Sequence, residues 1–328
     1  MVEVITCDCL DVLKGLKDKS INCCVTSPPY YGLRDYGVAG QLGQESTPEE
    51  YIEQLTKVFR EVRRVLADDG TLWVNIGDSY AGSMQGIGGA GTVPSKWDSN
   101  RGARELKNVA QKSITAQLPG YKPKDLIGIP WMLAFALRGD GWYLRQDIIW
   151  SKPNAMPESV KDRCTKSHEY VFLLSKSKHY YFDHEAMQET AVNDYVSARK
   201  NPPRYGGKKY TQNPDEFFRT KSGNAYAYTG RRNRRDVWTI STQPCKDAHF
   251  AVFPEKLVEP CILAASKEGD TVLDPFGGSG TTGFVANRLG RHAIIIEINP
   301  KYADMQGTEQ TKSDLRIYSQ SMRHEHGI

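Results

Sequence analysis

Apolar residues recur along this chain with two different periods. Val2-Glu3-Val4-Ile5-Thr6, Ile21-Asn22-Cys23-Cys24-Val25 and the stretch from Gly70 to Asp78 are short, largely apolar runs bounded by polar or turn residues, and they predict buried strands. A helical stretch over Leu10, Val12, Leu13 and Leu16 follows the first. Ahead of the third, Ile52, Leu55, Val58, Phe59, Val62, Val65 and Leu66 form one apolar stripe. That stripe follows Thr47-Pro48-Glu49-Glu50, which joins an N-cap, a first-position proline and a third-position glutamate. Downstream, Pro130 to Gly141 reads as a helix, and Leu144 to Trp150 and Tyr170 to Ser175 read as strands. Thr271 to Phe276 and His292 to Ile296 are two more strands, separated by a helix that runs through Phe284, Val285 and Leu289 and stops at Gly290. Strands alternating with helices predict an α/β fold, a doubly wound and mostly parallel seven-stranded sheet with both faces covered.

Chemistry concentrates where two of these strands end. Thr26-Ser27-Pro28-Pro29-Tyr30 closes the second strand. Two prolines fix φ and remove two donors, so the turn presents acceptors, the Ser27 hydroxyl and the Ser27 and Pro28 carbonyls, beside the face of Tyr30. Acceptors next to a stacking ring suit a planar ring carrying an exocyclic amine. Asp274-Pro275-Phe276 leads into Gly277-Gly278-Ser279-Gly280-Thr281-Thr282, a turn into a helix whose N-terminus offers free N–H groups. It lacks the lysine of a phosphate-binding loop and the dinucleotide glycine spacing. The next strand ends in Glu297, placed to accept hydrogen bonds from ribose hydroxyls. A nucleoside cofactor without required phosphates is implied.

Together these segments resemble the amino-methyltransferases that act on DNA. In that family S-adenosylmethionine lies at the Asp-Pro-Phe-x-Gly-x-Gly loop and the target base at Ser-Pro-Pro-Tyr, and the catalytic motif preceding the cofactor motif is similar to the beta-class order. The resemblance extends through Cys7-Asp8-Cys9-Leu10-Asp11, through Trp150-Ser151-Lys152-Pro153-Asn154, through Glu169-Tyr170-Val171-Phe172 and through His249 to Leu257. It implies a circularly permuted class I methyltransferase-like fold. It also implies Ser27, Pro28, Pro29 and Tyr30 as catalytic residues, and Asp8, Phe253, Asp274, Phe276, Gly278, Gly280, Thr281, Thr282 and Glu297 as residues contacting S-adenosylmethionine. The first motif position is Ser27, where many adenine-modifying relatives carry Asp. Methylation of cytosine N4 in duplex DNA by base flipping is the expectation; adenine N6 is the alternative, with RNA or a protein amide further off.

Charge supplies the rest. Among 328 residues with a net charge of +4, positions 199–235 hold eleven Lys or Arg against two acids. Six aromatics, Tyr205, Tyr210, Phe217, Phe218, Tyr226 and Tyr228, lie among them. This composition predicts a DNA-contacting, target-recognition insertion in which Lys208, Lys209, Arg231, Arg232, Arg234 and Arg235 meet phosphates or base edges. A DNA-binding module alone would account for the insertion but not for the paired motifs. The expected organisation is a catalytic half over 1–184 with a Gly-rich loop at 79–124, the insertion over 185–245 and a cofactor half over 246–328. Seven scattered cysteines without zinc spacing suggest reduced thiols and no metal. No apolar run reaches membrane-spanning length and no signal peptide is visible, so cytoplasmic residence is expected. A homodimer and a cognate restriction endonuclease are compatible partners.

Overall fold

The computed structural model describes residues 1–33, 35, 37–82, 115, 118–190, 218–219, 225–226, 231–242, 254–305 and 315–319. Phe253, Lys208, Lys209 and most of the expected Gly-rich loop at 79–124 lie outside them.

In chain order the elements are β1 (Val2–Thr6), α1 (Cys9–Gly15), β2 (Ile21–Thr26), α2 (Pro48–Val65), β3 (Leu66–Ile76), α3 (Ile129–Gly139), β4 (Tyr143–Ser151) and β5 (His168–Ser175). There follow β6 (Gln188–Thr190), β7 (Phe218–Arg219), β8 (Ala225–Tyr226), β9 (Arg231–Asn233) and β10 (Val237–Thr239). The last are α4 (Glu255–Ala265), β11 (Thr271–Asp274), α5 (Thr281–Arg288), β12 (His292–Glu297), α6 (Pro300–Met305) and β13 (Leu315–Ser319).

The central sheet has nine strands in the order β10-β4-β5-β3-β2-β11-β12-β1-β13. All neighbours are parallel except β5, which runs antiparallel to both β3 and β4. Seven of the nine are the strands legible in the sequence. The expectation of seven is therefore corrected by two edge strands, β10 on β4 and β13 on β1. β10 spans only three residues, too few to show a period, and it is fixed by Trp150, whose Nε1 donates to the Ile240 carbonyl at 2.8 Å.

Successive residues of a strand face opposite sides. Cys24 enters the cluster formed with α1, α2 and α3, whereas Cys23 lies beside Cys261 of α4. Thr47 accepts from the Glu50 amide at 3.2 Å and starts α2, whose Tyr51, Ile52, Leu55, Val58, Phe59, Val62 and Val65 are buried. Each such apolar side chain contributes about 1.5–3 kcal/mol relative to exposure. On the cofactor side, a Cβ at Gly283 of α5 would lie 2.9 Å from Ile295 Cγ1 and 3.1 Å from Val2 Cγ1, so only glycine lets this helix settle so close to the sheet.

Positions 183–235 form a compact unit of their own, bounded by Asp183 and Arg235. The expected insertion over 185–245 is wider than this, because Asp236 onward returns to the central sheet as β10. Within the unit β6 pairs with β9 and β7 with β8, both antiparallel. Among the described residues no helix is long and apolar enough to cross a membrane. Cys7, Cys9, Cys23, Cys24 and Cys261 are buried cysteines and Cys164 is an exposed one.

Candidate active site

Register brings the first motif together with residues from three other strands. Thr26 of β2 pairs with Val74 of β3, which puts Asn75 one step beyond, alongside Ser27. Asn75 pairs with Val171 and Ile76 with Tyr170 on antiparallel β5, and Trp150 pairs with Glu169. The carboxyl ends of β2, β3 and β4 and the amino end of β5 thus share one rim.

On that rim the side chains are bonded to one another. The Ser27 hydroxyl donates to Asn75 Oδ1 at 3.4 Å. The Tyr30 hydroxyl donates to Glu169 Oε2 at 2.7 Å and lies 3.3 Å from Asn75 Oδ1. Asn75 Nδ2 donates to Glu169 Oε2 at 3.2 Å and to the Tyr170 carbonyl at 3.1 Å. Lys152 pairs with Glu169 Oε1, with its Nζ 4.2 Å from the centre of the Trp150 ring. Burial, then the Glu169 carboxylate, pushes the Tyr30 hydroxyl well above its ordinary range, so it stays protonated and donates. Gly77 makes room for this ring: a Cβ there would come within 2.7 Å of Tyr30 Cε2.

Two features of the rim differ from a simple row of acceptors. The Pro29 carbonyl is taken by the Tyr51 hydroxyl at 2.6 Å, so of the proline carbonyls the one assigned to a ligand is that of Pro28. Asp78, an acid at a strand end, is a helix cap: its carboxylate accepts from the amides of Ser79, Gly128 and Ile129 at 2.9–3.1 Å.

Beside β2, β11 carries the second motif. Asp274 is fully buried, and its carboxylate accepts from Thr26 Oγ1 at 2.6 Å, Thr282 Oγ1 at 2.7 Å and the Phe276 amide at 3.0 Å. Asp274 and Thr282, expected to contact the cofactor, are both buried and hold the loop from behind. The loop itself is bent at Gly278 and Gly280, with φ of +51° and +82°. At Gly278 the nearest atom of the described residues that a Cβ would meet is the Phe276 carbonyl oxygen, 4.0 Å away. Glu297 ties it down, its Oε2 accepting from the Gly278 amide and its Oε1 from the Asn299 amide, both at 2.8 Å. Burial raises the Glu297 carboxyl above its ordinary range. Each of its oxygens retains a lone pair for a ribose hydroxyl. Asp8 lies one strand over: Thr6 pairs with Glu297, the Cys7 amide donates to the Glu297 carbonyl at 3.1 Å, and Asp8 caps α1 through the Leu10 amide at 2.8 Å. Ser279 and Thr281 hydroxyls lie 3.3 Å apart at the mouth of α5, and Phe276 packs edge-on against Phe59. A glycine turn, a helix N-terminus without a side-chain cap among the described residues, and strand-end acids fit a nucleoside cofactor.

Asn75, Lys152 and Glu169 were not singled out as site residues by the sequence. The signal was there in weak form, since each is polar at the end of an apolar strand. In the separate unit, Arg232 Nε and Arg235 Nε both donate to Glu189 Oε1, at 2.8 and 3.3 Å, and Arg231 donates to the Glu185 carbonyl at 3.3 Å. Arg234 is partly exposed in the same segment.

Comparison with known proteins identifies the family and the fold. Residues 21–308 match the family model described as DNA methylase. The type II methyltransferase M.Cfr9I of Citrobacter freundii is 48% identical over 300 residues, covering 91% of this chain and 84% of its own. M.SmaI of Serratia marcescens is 46% identical over 303 residues, covering 92% and 88%. Among solved structures, the cytosine-N4-specific PvuII DNA methyltransferase superposes with a TM-score of 0.60 at 19% identity, covering 93% of this chain and 85% of its own. A Thermus thermophilus DNA modification methylase complexed with S-adenosyl-L-methionine gives 0.57 at 22% identity, covering 98% and 99%. These two likenesses concern the fold.

Proposed function

The chain belongs to the S-adenosylmethionine-dependent DNA amino-methyltransferases that act on cytosine N4 or adenine N6, and on that premise we propose that its target is cytosine N4 in duplex DNA. The observation that carries the choice of base is Ser27: a neutral hydroxyl, bonded to a neutral amide, stands at the head of the turn. A carboxylate there would be a fixed anionic acceptor; a hydroxyl is weaker and adjustable, which suits an amine that needs less activation.

Gly278, Gly280, Thr281, Phe276, Glu297 and Asp8 are the residues we assign to hold the cofactor, with Asp274 and Thr282 bracing them. When bound, S-adenosylmethionine supplies an electrophilic methyl group on a sulfonium centre. The chain's own part is to hold the base. The Ser27 hydroxyl and the Pro28 carbonyl accept the two amine protons, which favours a pyramidal nitrogen with its lone pair directed out of the ring plane. Tyr30, anchored at its hydroxyl, forms a rigid wall for the flipped base. Positioning and electrostatics suffice without a covalent intermediate. The unit over positions 183–235 is assigned to recognition of the DNA sequence. Kinship with type II methyltransferases supports a place in a restriction–modification pair, with a cognate endonuclease as partner.

Nucleoside mass spectrometry of DNA from cells expressing the chain tests the base. N4-methylcytosine is expected; N6-methyladenine without it would overturn the cytosine assignment.

A further inference from the structure

Ser27 carries one proton and two lone pairs, and which of them faces the base decides what the site accepts. We propose that Lys152, Glu169 and Asn75 form one positioning chain that turns the Ser27 proton inward, so that Oγ presents only lone pairs to the target base. The inference rests on the reading that Ser27 receives the target amine, and it goes beyond that reading by naming residues that make Ser27 an obligatory acceptor.

The Asn75 amide has a single workable orientation. Its Nδ2 faces two acceptors, Glu169 Oε2 at 3.2 Å and the Tyr170 carbonyl at 3.1 Å. Reversing the amide would set its oxygen against both, so the network itself assigns the orientation. Oδ1 therefore points at Ser27 and takes the serine proton. At 3.4 Å this is a long hydrogen bond, and what stands behind Asn75 becomes important. An amide that donates to a carboxylate holds more negative charge on its own oxygen. Glu169 provides that carboxylate, and Lys152 compensates its charge from the other side. Lys152 is in turn held over the Trp150 ring. Tyr30 makes its shorter hydrogen bond to Glu169, at 2.7 Å, against 3.3 Å to Asn75 Oδ1, so its proton goes first to the carboxylate and the amide oxygen is left to Ser27.

The consequence is a filter for amines. A lone pair on Ser27 Oγ attracts the amine of cytosine and repels the keto oxygen at the same ring position in uracil, its deamination product. Relatives in which an aspartate heads the turn have no proton to direct; a serine site needs the chain behind it.

The test uses the full-length enzyme and a duplex whose methylated position has been mapped by sequencing, with cytosine or uracil at that position. Cofactor binding, measured by calorimetry, reports folding independently, because the residues assigned to the cofactor, Asp8 apart, come from the other half. In Asn75→Leu the serine proton is free to turn outward, and the cytosine-to-uracil affinity ratio is expected to fall by about tenfold, the worth of one buried hydrogen bond gained by the wrong base. The easier flipping of a mismatched base is common to all variants and cancels in this comparison. Glu169→Gln and Lys152→Met are expected to lower kcat while leaving the affinity for S-adenosylmethionine unchanged, and to shift the ratio in the same direction. Ser27→Ala combined with Asn75→Leu should move the ratio no further than Ser27→Ala alone. An unchanged ratio in Asn75→Leu with intact cofactor binding overturns the proposal. Should that variant fail to fold, an unchanged ratio in both Glu169→Gln and Lys152→Met does the same. If mass spectrometry returns N6-methyladenine, the same variants are read on adenine against hypoxanthine, so failure of the base assignment and failure of the positioning chain stay distinct.

Discussion

The Thr26 hydroxyl donates to Asp274 Oδ1 at 2.6 Å, and both residues are fully buried. Thr26 immediately precedes the Ser27 turn and Asp274 stands three residues before Gly277 of the glycine loop, so one short hydrogen bond links the motif proposed to hold the base with the one proposed to hold the cofactor. The parallel pairing of Cys23 with Val272 and Cys24 with Leu273 supports it from below. A misplacement of 1 Å between two such sites is enough to slow a displacement reaction by about a hundredfold.

Asp274 should leave a signature in the pH dependence of stability. Burial raises its carboxyl from 3.8 to about 6, against the hydrogen bonds from Thr26, Thr282 and the Phe276 amide, which act in the opposite direction. A carboxyl raised on folding contributes stability that is fully present below its unfolded value and is lost as pH rises through the folded one. That contribution therefore disappears between about pH 4 and pH 6–7, and at neutral pH the charged, buried carboxylate costs on the order of 3 kcal/mol. Asp274→Asn is expected to flatten this part of the curve. Thermal unfolding of both proteins across that range would show parallel profiles if Asp274 does not titrate as described.

Glu297 links the loop to β12 through the Gly278 amide. In Glu297→Ala that amide loses a charged acceptor and, on the proposed assignment, so do the ribose hydroxyls, each such bond being worth about 1.5–3 kcal/mol. Calorimetric affinity for S-adenosylmethionine should drop by at least about tenfold, with the far-ultraviolet spectrum unchanged. An affinity equal to wild type would remove Glu297 from the cofactor site.

Gly77 and Tyr30 should behave as a coupled pair. A methyl group 2.7 Å from a ring anchored at its hydroxyl has to displace that ring, so Gly77→Ala is expected to cost about 1–3 kcal/mol of stability and to reduce kcat. Truncating the ring with Tyr30→Val should restore the stability of Gly77→Ala without restoring turnover. Additive stability losses in the double variant would mean that the two do not compete for the same space.

Glu189 accepts from Arg232 and Arg235, which makes it a brake on the arginines of β9 and the segment after it. Glu189→Gln removes an anion from this cluster and should steepen the salt dependence of DNA binding by about one counterion per arginine that moves onto phosphate. Replacing Arg231, Arg232, Arg234 and Arg235 together by Ala should have the opposite effect. Identical slopes in titrations of all three proteins would assign the run to the unit's internal structure instead.

Much of this architecture could be read from local pattern. The seven inner strands announce themselves by apolar runs, α2 by its Thr47 cap and stripe, and the two motifs by prolines and glycines whose backbone chemistry is specific. What escaped has a common cause. β10 is recognised by pairing with β4, not by its own three residues. The Asn75, Lys152 and Glu169 network depends on the antiparallel register of β5, which aligns Trp150 with Glu169 and Asn75 with Val171. Register between strands separated by tens of residues is set by tertiary packing and has no local signature. The burial of Asp274 was hidden for the same reason, since a carboxylate at a strand end looks alike in sequence whether it faces a ligand or a pair of threonines.

The close seat of α5, possible because Gly283 has no side chain, bears on how the enzyme cycles. With the helix settled against Ile295 and Val2, and with the loop before it tied to Asp274 and Glu297, the described part of the surface proposed for the cofactor is assembled by the protein's own contacts. A ligand meeting a preformed loop gives up little to organise it. On that assignment, spent product can leave and fresh donor arrive without rebuilding this loop between turnovers, and the tightness of each is set by the contacts it makes.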